Sequence, residues 1–450
     1  MKRDAIDLGK AKVGSLFKIY FVPTLLGMLS LCIVTATDGI LVGHGVGPEG
    51  VAAVNIAIAP FMLLVGFGLM LGMGCSVVAS IQLSRGADKA ARLNVVQALV
   101  AVTIVLAIFM AWVYASPTKF SYLLGSSDKL LPLVRDYLVW LLPGEIFSLW
   151  AIIGLFIIRL DGSPKLAMWL NIIPGALNAI LDYIFIFPLD MGIKGAAIAT
   201  AISYALGGIA VIVYLAGFAT KLKLIAIKLS RKSLMLMGRN LGYQCRVGVS
   251  ALLGEMSMGV IMFTGNQIFM EYLGDAGVGA FGIACYYCPF IFMIGNAIAQ
   301  SAQPIISYNY GMGQLERVRS TERLAILTAL GCGVAVTAMF LTMPKLMVAL
   351  FIDPAGHAAQ IAIEGMPLFA TAVICYIFNL TAIGYFQSVE RVSPSIVFAL
   401  LRGFIFIVPA FIVMPHLLGV TGIWLALGVS EMLTTLCIVA FYFCGRKLSR

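Results

Sequence analysis

The chain has 450 residues, of which 61% are hydrophobic and 11% charged, and its formal net charge is +10. A soluble protein of this composition would expose far too much apolar surface to water, so the composition excludes a soluble globular domain and indicates a polytopic membrane protein. The apolar runs are continuous and do not alternate with a period of two, which excludes a transmembrane β-barrel.

Twelve apolar segments follow one another along the chain. Each is long enough to form a membrane-spanning helix, which needs about 20 apolar residues. We therefore predict an all-α integral membrane protein with twelve transmembrane helices. The predicted segments are 13–43, 50–80, 93–115, 133–158, 165–187, 194–217, 244–270, 278–306, 322–343, 358–386, 394–414 and 420–444.

Basic residues are distributed unevenly between the connections. If alternate connections lie on opposite sides, one side carries 24 of the 30 Lys and Arg residues and the other side carries 5. The positive-inside rule then places both termini of this multi-pass membrane protein in the cytoplasm. The positive charge is thus loop charge at the lipid surface, and we expect no nucleic-acid partner.

An internal repeat divides the chain near its middle, where the longest hydrophilic connection lies. Gly47-Pro-Glu-Gly-Val-Ala-Ala53 matches Gly274-Asp-Ala-Gly-Val-Gly-Ala280 at an offset of 227 (274 − 47). We predict a six-helix lobe at 1–217, a cytoplasmic linker at 218–243 and a second six-helix lobe at 244–450. Because each repeat has an even number of helices, the lobes should be related by a pseudo-two-fold axis along the membrane normal.

Four polar side chains interrupt apolar segments of the first half: Asp38, Asn178, Asp182 and Thr200. Asn178 and Asp182 are four residues apart and share one helix face. A carboxylate near the bilayer centre costs roughly 2.5 kcal/mol on insertion scales, so it persists only where a cavity, a partner or a cation compensates it.

The repeat lacks these polar groups in its second copy, which favours a functional role in the first. At the offsets of 227 and 230 (394 − 164, from the paired Ser-Pro sequences) the counterparts are apolar or lack a side chain. In the order of the four residues above, they are Gly265, Val408, Ile412 and Leu427.

Two carboxylates, an amide and a hydroxyl form an oxygen shell that suits a hard cation, and two adjacent carboxylates cannot both stay ionised cheaply. We therefore predict a site for Na⁺ or H⁺ at Asp38, Asn178, Asp182 and Thr200. In the alternative, the two aspartates pair with basic groups; the only Lys or Arg well inside a predicted helix is Arg402, in the second half. For Thr200, a hydrogen bond to its own helix backbone is a further alternative.

The second half offers its own intramembrane polar residues. Arg402 is a natural partner for Glu255 or Glu431, either to pack helices or to serve function. We predict a second polar site from Glu255, Arg402, Asn266 and Gln300.

Pro23 precedes Asp38 by fifteen residues in the first segment. Because proline frees a backbone carbonyl and permits a bend, we expect the first helix to bend near Pro23 when the charge of Asp38 changes.

Several short sequences, in this order and spacing, resemble one known family. They are Thr37-Asp-Gly-Ile-Leu-Val-Gly43, Asn178-Ala-Ile-Leu-Asp182, Gly254-Glu-Met-Ser257, Gln303-Pro-Ile-Ile-Ser-Tyr-Asn-Tyr-Gly311 and Leu401-Arg-Gly403. With the twelve segments and the mid-chain linker, they make the chain similar to the multidrug and toxic compound extrusion (MATE) family. It looks like the bacterial DinF-like branch of that family.

The resemblance implies export of cationic, amphipathic drugs in exchange for Na⁺ or H⁺. In the DinF-like branch the cation site lies in the first lobe, and Asp38, Asn178, Asp182 and Thr200 match it residue by residue, while Pro23 matches a proline linked to bending. Glu255 matches a second-lobe glutamate that another branch uses together with an aspartate in the tenth helix. Here the tenth segment offers only Glu364 and Asn379.

These observations together predict a secondary active multidrug efflux transporter that works by alternating access as a monomer, with no cofactor besides the coupling ion. A flippase for lipid-linked saccharide precursors is the alternative, although it would need several basic residues lining its cleft, and Arg402 stands alone. We predict that the chain is not an enzyme, because it contains no DDxxD, HExxH or GxSxG motif.

Overall fold

The computed structural model describes residues 6–226 and 231–448, and this part of the chain is almost entirely helical, with no strand. Ten helical stretches within it are long and apolar enough to cross a membrane by length and composition. Two of the ten are long stretches that a sharp backbone break divides in two. The prediction of an all-α membrane protein with twelve spanning helices is confirmed.

The first half contains six membrane-spanning helices and one short helix, α4. Proline stands at the first turn of α2, α4, α5 and α6, where its missing N–H leaves no helical bond unmade. A π-helical turn, Tyr214–Phe218, follows α7. The helices are α1 (Val13–Gly45), α2 (Pro48–Ser84), α3 (Asp88–Ala115), α4 (Pro117–Leu123), α5 (Leu131–Leu160), α6 (Pro164–Ile186) and α7 (Gly192–Val213).

The second half is less regular. A 3₁₀ turn, Ala370–Ala372, joins α11 to α12, and a π-helical turn, Leu401–Ile405, follows α13. Non-helical backbone at Gly274 and Gly419 breaks α8 and α14. The helices are α8 (Arg231–Gly311), α9 (Leu315–Thr342), α10 (Pro344–Ala349), α11 (His357–Phe369), α12 (Val373–Ser388), α13 (Val392–Leu400) and α14 (Ile407–Leu448).

The internal repeat is visible in the backbone as well as in the sequence. Glycines with positive φ recur at the offset of 227 that the sequence alignment gave. Gly47 and Gly274, for example, have φ values of 91° and 61°, a region that glycine adopts at little steric cost. The three pairs are Gly47 with Gly274, Gly86 with Gly313, and Gly192 with Gly419.

The chain forms two compact units. The first comprises the described residues up to Leu252 together with Ser307–Gln314, and the second comprises Leu253–Ile306 and the described residues from Leu315 onward. Helix α8 therefore contributes to both. The sequence-based lobes at 1–217 and 244–450 stay a prediction, and residues 227–230 of the predicted linker lie outside the described residues.

Close helix packing in the first unit depends on small residues. Helix α1 packs against α6, and α7 packs against both α5 and α6. A Cβ atom at Gly175 of α6 would lie 2.8 Å from the Val34 side chain, and one at Gly144 of α5 would lie 2.5 Å from the Cα of Ala201. Because glycine lets the backbones approach, the polar residues of α1, α6 and α7 are brought into one bundle.

Candidate cation site

Asp38 of α1 and Asp182 of α6 form a carboxyl pair. Their carboxyl groups approach within hydrogen-bonding range of each other. Asp182 is 0% exposed, and both of its oxygens, like Oδ1 of Asp38, are buried without a donor. Two ionised carboxylates have no hydrogen to share, so the pair is satisfied only by a proton held between them or by a cation.

No basic side chain in the described part of the chain forms an ion pair with Asp38 or Asp182. The four ion pairs found there have other members. Among these residues, neither aspartate therefore pairs with Lys or Arg, which was the alternative that the sequence left open. Within residues 6–226 and 231–448, no basic side chain therefore compensates the negative charge of the pair.

Asn178 and Thr200 connect the same region of α6 to α7. Asn178 Nδ2 donates a hydrogen bond to Thr200 Oγ1 across 3.2 Å, and Thr200 Oγ1 donates to the Ala196 carbonyl at 3.0 Å. Both side chains are buried, and Asn178 lies one helical turn before Asp182. Thr200 thus makes the backbone bond that the sequence left open as an alternative, and it contacts Asn178 as well.

Two tyrosines that the sequence analysis did not single out for the site lie near the pair, and Glu145 lies near these tyrosines. Tyr137 of α5 and Tyr204 of α7 lie within electrostatic range of Asp38, Asp182 and Glu145. Glu145 is 2% exposed, and its Oε2 is buried without a donor. The spacing from Thr200 to Tyr204 is four residues, which places both on one face of α7 and would have pointed to Tyr204.

The donor set suits a monovalent cation. Among the described residues, no group of three or more His, Cys, Asp or Glu side chains is arranged to hold a metal ion. Asp38 and Asp182 supply two negative charges, and Asn178 and Thr200 add neutral oxygens. Oxygen ligands of this kind accept a hard cation such as Na⁺, and the carboxyl pair alone accepts a proton.

Pro23 is buried inside α1, fifteen residues from Asp38. At 1.5 Å per residue, the two lie about 22 Å apart along the helix. Proline cannot donate to the carbonyl of Ile19, so the helix is weakened one turn before Pro23. The structure places Pro23 as the sequence predicted, and its role in bending stays a prediction.

The position in the second unit that corresponds to Asp38 is filled by aromatic rings. A Cβ atom at Gly265 would overlap the ring of Phe281, which stacks on Phe269 at a centroid distance of 4.5 Å. Phe411 meets the edge of Phe281, and Trp424 meets Phe269. The polar cluster of the first unit therefore has an apolar counterpart in the second. The two halves of the repeat differ here in packing as well as in sequence.

The four residues predicted to form a second polar site are not joined into one cluster. Arg402 is 2% exposed, with Nε 2.8 Å from Glu431 Oε1 and its guanidinium 4.0 Å above the Tyr376 ring. Glu431 rather than Glu255 is thus its ion-pair partner within the described residues. Gln300 is buried and Asn266 is exposed, and no hydrogen bond or ion pair in the described part links them or Glu255 to Arg402.

Besides its contact with Arg402, Glu431 accepts a hydrogen bond from a residue of α12. Asn379 Nδ2 donates to Glu431 Oε2 at 2.8 Å, and the Thr435 hydroxyl donates to Asn379 Oδ1 at 2.9 Å. This polar network surrounds a buried ion pair whose own contact, from Arg402 Nε to Glu431 Oε1, is close but does not have hydrogen-bond geometry. It connects α12 and α14 within the second unit.

Comparison with known families gives two matches along the chain. The MatE family model matches residues 23–184 and again residues 251–412. The chain belongs to the MatE family. The two MatE matches begin 228 residues apart, close to the offset of the paired glycines, and the first contains Asp38 and Asp182. The resemblance to the multidrug and toxic compound extrusion family is therefore confirmed.

Curated MatE relatives are similar over nearly their whole length. Multidrug export protein MepA of Staphylococcus saprophyticus is 26% identical over 437 residues, which cover 94% of this chain and 91% of that protein. MepA of Staphylococcus aureus (strain NCTC 8325 / PS 47) is 24% identical over 433 residues, with 94% and 92% covered.

A solved structure has the same fold. It is described as the outward-facing conformation of a multidrug resistance MATE family transporter of the MOP superfamily, and it superposes with a TM-score of 0.89. The match covers 99% of this chain and 98% of that chain at 22% sequence identity. The architecture of this MatE protein is therefore the one found in that transporter.

Proposed function

We propose that this MatE protein is a secondary active multidrug efflux transporter, which exchanges cationic, amphipathic drugs for Na⁺ or H⁺. The observation that carries the proposal is the Asp38–Asp182 carboxyl pair, in which Asp182 and Oδ1 of Asp38 are buried and neither residue has a basic partner among the described residues. Multidrug export by the MepA relatives supports the choice of drugs as substrates.

In the proposed cycle, the cation and the drug compete for one charge state of the first unit. Asp38 and Asp182 supply the negative charge, and Asn178 and Thr200 supply neutral oxygens for Na⁺. Binding of Na⁺ or a proton neutralises the pair, which removes the electrostatic reason for a cationic drug to stay. Coupling requires only that the two ligands favour different states of the protein.

Movement of α1 would pass this change to the rest of the molecule. Asp38 lies on α1, and neutralisation changes the interaction of its carboxyl group with that of Asp182 on α6. The helix is weakened near Pro23, so the segment beyond Pro23 can shift while the preceding turn stays in place. Alternating access then follows from two positions of α1 that the bound cation selects between.

Further expectations belong to the same proposal. We propose a location in the bacterial cytoplasmic membrane with both termini cytoplasmic, a monomeric state and membership of the DinF-like branch, which the first-unit cluster supports. The flippase alternative is disfavoured because Arg402, the buried base that an anionic lipid-linked substrate would need, is engaged by Glu431 and Tyr376.

Transport in proteoliposomes tests the proposal directly. Export of a fluorescent monovalent cationic dye would be measured under an imposed Na⁺ gradient and then under a pH gradient. The parent, Asp38→Asn and Asp182→Asn would be compared. We expect one of the two gradients to drive uphill dye export by the parent. Neither gradient should drive uphill export by Asp38→Asn or Asp182→Asn.

A matched control is Asp190→Asn, in the loop between α6 and α7, where the positive φ of 48° suits asparagine. It should transport like the parent. Full uphill export by either carboxyl-pair variant would show that the site is assigned wrongly. Absence of gradient-driven export by the parent would refute the antiport mechanism itself.

A further inference from the structure

The carboxylate of Asp161 accepts five hydrogen bonds from the segment that follows α7. Asp161 lies in the turn between α5 and α6. Its Oδ1 accepts from the backbone N–H of Lys221 at 2.8 Å and of Leu222 at 3.2 Å. Its Oδ2 accepts from the N–H of Thr220 at 2.9 Å, from the Thr220 hydroxyl at 3.0 Å and from the Tyr214 hydroxyl at 2.8 Å.

This arrangement resembles an anion-binding site in which the bound anion is a carboxylate of the protein itself. Three consecutive backbone N–H groups, those of Thr220, Lys221 and Leu222, converge on one carboxylate, which is the arrangement of a backbone nest. Hydrogen bonds to an ionised acceptor are shorter and stronger than neutral ones. Asp161 therefore fixes this segment more firmly than a polar contact at an exposed loop normally would.

Further contacts hold the same segment, residues 219–224, which we call the strap. Arg92 Nε donates to the Lys221 carbonyl at 2.7 Å, and Leu224 N donates to the Leu215 carbonyl at 3.0 Å. Leu222 is 0% exposed. The strap is thus held through its backbone and through the buried residues Ala219 and Leu222, although it has no regular secondary structure.

Along the chain, the strap lies between the helices of the proposed cation site and α8. Asp161 lies just before α6, which carries Asp182, and the strap follows α7, which carries Thr200. The π-helical turn Tyr214–Phe218 lies between α7 and the strap, and such turns often occur at functional positions. Beyond the strap, the chain continues toward α8 and the second unit.

We propose that Asp161 is a latch, which ties the strap to the start of α6 so that movement of the mid-chain connection is transmitted to the helices of the cation site. The transport part of this inference rests on the proposed function. Asp161 touches neither drug nor cation in this role, and it acts by positioning α6 and α7 against each other.

Amide hydrogen exchange of the full-length protein in detergent tests the latch without any transport. In Asp161→Ala, the amides of Thr220, Lys221 and Leu222 should exchange roughly tenfold faster than in the parent. Added formate should restore slow exchange, because a small carboxylate can occupy the emptied nest. Asp190→Asn, whose side chain is in a different loop, should leave these amides unchanged.

Transport separates the latch from a merely local contact. We expect Asp161→Ala to lower the maximal rate of dye export severalfold with an unchanged half-saturating dye concentration, and formate to restore part of the rate. Unchanged exchange at residues 220–222 would overturn the latch. Fast exchange with a normal maximal rate would overturn its role in transmission. Failure of the parent to export dye under either gradient would refute the proposed function while leaving the exchange result standing.

Discussion

Asn178 donates a hydrogen bond to the Thr200 hydroxyl across 3.2 Å, and this bond joins α6 to α7 one helical turn from Asp182. It fixes the amide so that Nδ2 points toward Thr200. The amide of Asn178, one turn from Asp182, is therefore positioned by a neutral residue of another helix. The bond matters for cation binding because ligand oxygens must be held in place before the ion arrives.

Replacing Thr200 by valine keeps the shape of the side chain and removes its oxygen. We expect the half-saturating Na⁺ or H⁺ concentration for dye export to change roughly three- to tenfold toward weaker binding, because the amide loses its acceptor and the site loses an oxygen. Thr200→Ser should retain near-normal coupling. Ser203→Ala is the control, since the Ser203 hydroxyl donates to the Ala199 carbonyl of its own helix and makes no other hydrogen bond within the described part of the chain. Equal effects in Thr200→Val and Ser203→Ala would contradict the assignment.

The carboxyl pair should make thermal stability depend on the coupling ion. If Na⁺ is that ion, it binds the folded state, and at one hundred times its dissociation constant it should add about 2.7 kcal/mol to the free energy of unfolding. In Asp182→Asn, the amide can donate to Asp38, so this variant should stay folded and lose the ion effect. Thermal unfolding in NaCl against choline chloride at constant ionic strength measures both. The same Na⁺ stabilisation in parent and variant would place the ion elsewhere.

The buried pair of Arg402 and Glu431 should contribute to stability rather than to transport. Glu431→Leu leaves a buried guanidinium without its carboxylate, and we expect a loss of about 3–5 kcal/mol in the free energy of unfolding. Replacing both partners by apolar residues, as in Arg402→Met with Glu431→Leu, should recover most of that loss. Glu316→Gln, at an exposed acid in the first turn of α9, is the control. A double variant as unstable as the single one would point to a role for Arg402 beyond the pair.

Packing of α1 on α6 should set the geometry of the aspartate pair. A Cβ at Gly175 would lie 2.8 Å from Val34, so Gly175→Ala should push the helices apart, with a loss of about 1–3 kcal/mol and weaker coupling. Adding Val34→Ala should restore both, which a double-mutant cycle would reveal. Gly39→Ala is a control beside Asp38, because a Cβ there meets no atom within 4 Å. Persistent loss in the double variant would show that the contact is not the cause.

Much of this architecture follows from hydrophobic runs. The twelve segments, the shared face of Asn178 and Asp182, and the polar asymmetry of the repeat all depend on local spacing that a sequence displays. Helix ends were less predictable: the helices on either side of Gly274 and of Gly419 meet at that single non-helical glycine, whereas the sequence predicted longer connections at 271–277 and 415–419. Helical hydrogen bonds can extend past the apolar run because they do not require apolar side chains.

The surroundings of the aspartate pair depend on packing and were therefore not visible in the sequence. Tyr137 and Glu145 lie on α5, and the packing of α5 against its neighbouring helices, α7 among them, brings them near residues that are distant in sequence. Arg402 had two candidate partners at similar depth, and the choice of Glu431 depends on how α14 is rotated. The roles assigned to Asp38, Asn178, Asp182 and Thr200 stay predictions.

The paired glycines have a consequence for mutagenesis. Gly47 and Gly274 hold the same unusual backbone conformation in both halves, so any larger residue is strained at either one. A map of tolerated substitutions, scored only for folded protein in the membrane, should therefore correlate with itself when shifted by 227 positions. A map scored for drug resistance should lose that correlation at Asp38, whose partner at this shift is Gly265. It should also lose it at Asp182, whose partner at the shift of 230 is Ile412. The difference between the two maps would separate, position by position, what the duplicated scaffold needs from what one half acquired for chemistry.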